Sequence, residues 1–289
     1  MRISHLILSA ILLTLIGCGG NPEPTTNNKN PPKKQSPVAK AIKSGDKAKV
    51  LSGLKKLDKK GLKEPDLCLV VEATLSKDEK VRGKALDIIQ KNKPEWMEPL
   101  LTLLTSDEPN DIRKALLFHI KRMGPQAKCL SCVIVLKIYE QKKLLKKGDG
   151  TSLIGSSVPN GRIKDCFEAL VSINPHGEQV IETAISFAEL HEDKLSYQGF
   201  MVANAFLILE KQSTNPDSDV RKQVIGKIIS ALKAIPDDPE IPSAVAATKA
   251  VGSFGNEALQ ALPVLKKLRL HSEKQIRDAA VKSISQIES

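Results

Sequence analysis

From about residue 38 onward, apolar residues recur at helical spacing almost throughout, and no strand-like alternation lasts more than a few residues. The pattern also repeats itself. Val81-Arg82, Ile112-Arg113 and Ile276-Arg277 each open a stripe with four-residue steps: Val81, Ala85, Ile89; Ile112, Leu116, Ile120; Ile276, Ala280, Ile284. Fourteen residues before the second and third arginines stand Pro99-Leu100-Leu101 and Pro263-Val264-Leu265, and Cys68 fills that slot before Arg82. Gly124 with Ala127, and Gly255 with Ala258, mark the places where one helix pair hands over to the next. The spacing predicts antiparallel helix pairs over roughly 37–60, 66–91, 95–123, 127–173, 176–212, 218–254 and 256–288. A lone hairpin cannot cover its own apolar face, so neighbouring pairs must stack into one core.

This set of marks resembles the HEAT family of helical repeats, including its bacterial branch first noted in phycobilin lyases. Residues 94–127 and 255–288 carry the pattern well, 66–92 lacks the proline, and about 128–254 keeps the rhythm while losing most marks. The resemblance implies an all-α, right-handed α-solenoid of about six to seven pairs spanning 37–289. Asp219-Val220-Arg221 repeats the motif but falls in a first helix or a second. The acidic turns Asp107-Glu108-Pro109-Asn110-Asp111 and Pro216-Asp217-Ser218-Asp219 are expected to cap helix N-termini with side-chain oxygens, not to hold metal. Arg82, Arg113 and Arg277 are expected to pair with a carboxylate of an adjacent repeat.

The 289 residues are 41% apolar and include only nine aromatics, which is thin for an enzyme pocket or a base-stacking surface. The formal charge of +11 is unevenly placed. Residues 18–63 carry twelve lysines against Glu23, Asp46 and Asp58, a balance of +9, whereas 64–289 carry 31 basic and 30 acidic residues. A nucleic-acid-binding fold should carry its basic stripe on the folded body. None is expected as a partner here.

The N-terminus reads as an address. Arg2 precedes an apolar run, Leu6 to Ile16, too short to span a bilayer but matching the core of a secretory signal. The run ends in Leu15-Ile16-Gly17-Cys18, which resembles the bacterial lipobox. That resemblance implies that residues 1–17 are a signal peptide and that Cys18 receives a diacylglycerol. The chain would then be exported and anchored to the inner or outer membrane, facing the periplasm or the cell exterior. Residues 18–36 are expected to form a disordered tether, since Gly, Pro, Asn, Thr and Lys bury too little surface to order themselves. The lysines just beyond either sit on anionic head groups or only keep the tether soluble.

Between Glu140 and Asp165 lies a Gly-, Ser- and Lys-rich insertion at about 141–161, read as a surface loop or a binding loop on the solenoid edge. Gly148, Gly150 and Gly155 lack the Gly-Lys-Ser/Thr and the preceding strand of a phosphate loop. Cys129 and Cys132 stand at i, i+3, and a bridge from either to Cys166 would staple one hairpin; the alternative is that Cys68 and Cys132, in the slot of Pro99 and Pro263, are small core residues. Val133 occupies the place where haem attachment needs His. His119, His176, His191 and His271 are scattered singly, and neither Gly-x-Ser-x-Gly nor His-Glu-x-x-His occurs. No catalytic, cofactor or metal residue is expected. The function implied is a lipid-anchored envelope scaffold that binds a protein partner. The rival readings are an enzyme or lyase subunit of the HEAT-like class, which export disfavours, and a purely structural spacer.

Overall fold

The computed structural model describes residues 40–41, 44–60, 62, 64–147, 158–189, 199–235 and 241–289. Residues 1–17, expected to be a signal peptide, Cys18 and the remainder of the expected tether at 18–36 lie outside them. All regular structure among the described residues is helical, and no helix there is long and apolar enough to cross a membrane. The chain divides between Ile88 and Ile89 into two compact units.

In the first unit, α1 (Lys47–Lys60) buries Val50, Gly53, Leu54 and Leu57, and α2 (Glu64–Ala73) buries Leu67, Val70 and Val71. The third helix, α3 (Glu79–Asn92), buries the expected stripe of Val81, Ala85 and Ile89 and runs across the division. Lys84 Nζ reaches Asp58 Oδ2 at 2.6 Å, tying α3 to α1.

The second unit is built of helix pairs: α4 (Pro94–Thr105) with α5 (109–123); α6 (Ser131–Lys147) with α7 (Val158–Ile173); α8 (Glu178–Ala188) with α9 (Gly199–Lys211); α10 (Ser218–Lys233) with α11 (Ile241–Gly252); and α12 (Leu262–Leu268) with α13 (Lys274–Glu288). First helices touch first helices in the order α4, α6, α8, α10, α12, and second helices touch in the order α5, α7, α9, α11, α13. Two layers built this way are an α-solenoid. Asp219-Val220-Arg221 falls in a first helix, α10.

The second helices pack more closely on one another than the first helices do, and their composition is the reason. Ser243, Ala244, Ala247, Thr248, Ala250 and Gly252 are buried on α11, and Ala279, Ala280 and Ser283 on α13. The first helix α10 instead fills its contacts with Val224, Ile225, Ile228, Ile229 and Leu232. Small side chains let backbones approach; branched ones hold them apart.

The turns have a shared construction. Two residues before the cap of a helix, a side chain accepts from the N–H of the cap residue: Ser44 from Asp46 (3.2 Å), Ser76 from Asp78 (3.2 Å), Ser106 from Glu108 (3.1 Å), Asn215 from Asp217 (3.0 Å) and His271 from Glu273 (3.0 Å). Asp78 Oδ1 then accepts from the N–H groups of Lys80 and Val81, and Asp217 Oδ1 from Asp219 and Val220. Glu108 departs from expectation: it holds the cap position without a side-chain hydrogen bond. Gly124 (φ +58°) and Gly255 (φ +53°) adopt the left-handed region at the pair junctions. Each opens a 3₁₀ segment, Gly124–Leu130 or Gly255–Ala261, in which Ala127 or Ala258 is fully buried.

The expected loop at 141–161 is shorter than its composition suggests. Residues 141–147 continue α6 and 158–161 begin α7, with Pro159 in the first turn, where a missing N–H is harmless. Only 148–157 lie outside the described residues there.

Candidate interaction surface

The second-helix layer leaves one side of each helix unpacked. On α5 this side carries exposed Lys114, Phe118, Lys121 and Arg122 around the buried stripe Ile112, Leu116, Ile120. Phe118 is 61% exposed and sits within a π-helical stretch, Lys114–Ile120. Such a wide turn inside a helix re-aims side chains and recurs at functional positions. Leu207 on α9 and Val281 on α13 are exposed at 37% and 52%, and Lys164, Lys249 and Lys282 add charge on α7, α11 and α13. Lys121 Nζ donates to Glu168 Oε2 at 3.1 Å, linking α5 to α7, and Lys164 approaches the other oxygen of Glu168 at 3.8 Å. The layer therefore shows isolated apolar side chains set among lysines.

The arginines correct a sequence-based expectation. Arg113 does face a carboxylate of the next pair, Asp165, at 3.7 Å. Arg82 and Arg277 instead donate through Nη1 to the carbonyls of Ser76 (3.1 Å) and His271 (2.7 Å), six residues upstream. Arg221 does both: Nη1 binds the Asn215 carbonyl, and Nε lies 3.0 and 2.9 Å from the two carboxylate oxygens of Glu257 in the following pair. Turn carbonyls that end no helix ladder need a donor, and a guanidinium six residues on can reach them.

The cysteine expectation is also corrected. Cys68 and Cys129 are disulfide-bonded, while Cys132 and Cys166 are thiols, so no bridge to Cys166 staples the α6–α7 hairpin. Cys132 Sγ donates to the Cys129 carbonyl at 3.5 Å, and Cys166 is fully buried among the helices. His176 Nδ1 lies 3.2 Å from Gln212 Oε1, His271 serves its turn, and His191 falls outside the described residues. His119 Nε2 is buried with no hydrogen-bond partner. Among the described residues, no group of three or more His, Cys, Asp or Glu is placed to hold a metal ion.

Two carboxylates have opposite responses to the fold. Lys47 Nζ, 2.6 Å away, and the Val81 and Lys80 N–H groups hold the Asp78 carboxyl below its ordinary range. Burial pushes Asp165 up; the Arg113 guanidinium opposes this, Glu168 adds to it, and Lys164 and Lys121 oppose it. A carboxyl raised in the folded state is favoured by the fold while protonated, so its contribution declines as pH climbs from the ordinary value through the folded one. The Asp165 side chain is only 9% exposed and its guanidinium partner is 64% exposed, so the ion pair is well screened. Asp165→Asn is therefore expected to raise Tm at pH 7 by about 2 °C. The gain should shrink toward zero as pH falls below the ordinary carboxylate value; paired melts of variant and wild type across pH check this.

No protein-family model matches the chain, and no curated relative matches. Among solved structures the chain is similar to a designed armadillo repeat protein, YIII(Dq)4CqI, at 20% identity over 86% of this chain and 98% of that one, with a TM-score of 0.35. A similarity at that level identifies no site and no partner.

Proposed function

We propose that the protein is an exported, lipid-anchored HEAT-type scaffold at the bacterial cell envelope, with Cys18 as the lipid acceptor. It holds a protein partner on the open side of its second-helix layer. The observation that carries the binding reading is the row of exposed side chains on that layer, Phe118, Leu207 and Val281 among Lys114, Lys164, Lys249 and Lys282. Consecutive pairs contribute to it, which is how solenoids build extended binding surfaces. Exposed aromatic and aliphatic side chains on a layer that also carries lysines suit a partner segment with apolar and acidic side chains. The anchor reading is supported by Leu15-Ile16-Gly17-Cys18 behind the apolar run Leu6–Ile16.

A photo-crosslinking residue placed at 118 or 207 in the native host is expected to capture one protein species that the same residue at exposed Lys233, on a first helix, does not. Phe118→Lys with Leu207→Lys should reduce co-purification of that species at least about tenfold, as loss of two interface anchors does, while leaving Tm unchanged. The purified protein should begin at an acylated Cys18. Equal capture from positions 118 and 233 would refute the surface, and an intact mass retaining Met1 would refute the anchor.

A further inference from the structure

We propose that the exposed face of α1 is a docking surface for an anionic phospholipid membrane. The helix has two different sides. Val50, Gly53, Leu54 and Leu57 face the core of the first unit. On another side, Ala48, Leu51, Ser52, Lys55, Lys56 and Lys59 fall at three- and four-residue steps and form one open, shallow surface.

The charges along α1 are unevenly satisfied. Lys47 is paired with Asp78 at 2.6 Å, Lys49 lies 3.9 Å from Asp46, and Asp58 is engaged by Lys84 at 2.6 Å. Lys55, Lys56 and Lys59 have no ion-pair partner among the described residues. Three uncompensated cations within five positions are set beside a half-buried Leu51 and an exposed Ala48. Residues 18–63, which include α1, hold +9 of the +11 formal charge.

Lysine stems can lie along apolar surface while their ammonium groups reach outward, so such a face presents a shallow apolar floor with a cationic rim. That is the chemistry of a helix lying on an anionic head-group layer. A nucleic acid fits less well, because α1 contains no arginine for bidentate phosphate contacts and no aromatic ring for stacking. The proposal deepens the anchored-scaffold reading, on which α1 follows the lipid acceptor closely in sequence. On that reading the lipid holds the chain at the bilayer and α1 lays its lysines against the head groups.

The test uses the full chain and two vesicle compositions, neutral phosphatidylcholine and the same lipid with about 30% phosphatidylglycerol. The quantity read is the ratio of the two partition coefficients, in which any contribution of the N-terminus to neutral lipid cancels. Each lysine near an anionic surface is worth about a fivefold change in partitioning. Wild type should therefore show a ratio larger by about 100-fold than the Lys55→Gln, Lys56→Gln, Lys59→Gln variant at low salt, and the difference should collapse at high salt. A control variant, Lys233→Gln, Lys267→Gln, Lys274→Gln, removes the same charge at exposed positions elsewhere and should keep the wild-type ratio. A melt of each variant verifies folding.

Equal ratios for wild type and the α1 variant would overturn the proposal, as would an equal loss in the control variant. Binding of duplex DNA at the same salt as tightly as anionic vesicles would also overturn it, in favour of a nonspecific polyanion surface. If Cys18 proved unacylated while the ratio behaved as expected, the anchor reading would fail and this surface would stand.

Discussion

Gly252→Val is expected to lower Tm by about 6–12 °C, reflecting a loss of roughly 3 kcal/mol. Gly252 closes α11 where α13 lies close against it. A Cβ added there would sit 2.6 Å from Ser283 Oγ, 2.8 Å from Ser283 Cβ and 2.7 Å from Gln286 Oε1. The Gln286 side chain can swing away, but Ser283 cannot do so without loss. Its hydroxyl donates to the Thr248 carbonyl at 2.8 Å in a buried bond between the two helices. Turning it aside leaves a buried donor and acceptor unmatched; leaving it in place forces the helices apart. Thermal or denaturant unfolding measures the result. Gly226, on exposed α10 surface with nothing within 4 Å of an added Cβ, is the matched control, and Gly226→Ala should be neutral or stabilising. If Gly252→Val melted like wild type, the close apposition of second helices would not be what holds this end of the layer together.

The same apposition explains how far the fold could be read from sequence. The stripes opened by Val81-Arg82, Ile112-Arg113 and Ile276-Arg277 are buried as the spacing implies, because a helical period fixes which side chains share a face. Gly124 and Gly255 were equally legible, since a positive φ leaves its trace in residue type. The arginines were not. Their partners are mostly backbone carbonyls, which every residue possesses, so no spacing of acids could have revealed Arg82 on Ser76 or Arg277 on His271. The state of the cysteines was hidden for a similar reason: the i, i+3 spacing of Cys129 and Cys132 suggests a shared role, yet Cys129 is disulfide-bonded and Cys132 is a thiol. Phe118 did leave a signal. It stands two residues from Leu116 and two from Ile120, out of phase with their stripe, and a large apolar residue so placed must either meet another element or face solvent.

The middle of the chain, where the repeat marks fade, replaces a Gly-x-x-Ala junction with a polar one, and Gln212 is its centre. Its side chain is fully buried. Nε2 donates to the Pro175 carbonyl at 2.7 Å and the Ile208 carbonyl at 2.9 Å, while Oε1 accepts from Asn215 Nδ2 at 2.8 Å. One amide thus joins the turn before α8 to the turn after α9, using both ends of its donor and acceptor set. Gln212→Leu keeps the volume but strands the Pro175 carbonyl and the buried Asn215 amide, each worth about 1–3 kcal/mol when unmet, so Tm should fall by about 8–15 °C. Gln212→Glu separates hydrogen bonding from packing. It retains an acceptor for Asn215 and His176 but turns its other carboxylate oxygen toward two carbonyls in a fully buried place, and burial with that repulsion outweighs the nearby imidazole and raises the pKa of the introduced acid. Its stability should therefore be best at acidic pH, where a protonated carboxyl again donates, and be lost as pH rises through that raised value. Melts from acid to neutral pH should show Gln212→Glu approaching wild type at the acid end while Gln212→Leu stays low throughout. Parallel curves for the two variants would mean that Gln212 acts by filling space, and that the pairs on either side of it are held by their apolar contacts alone.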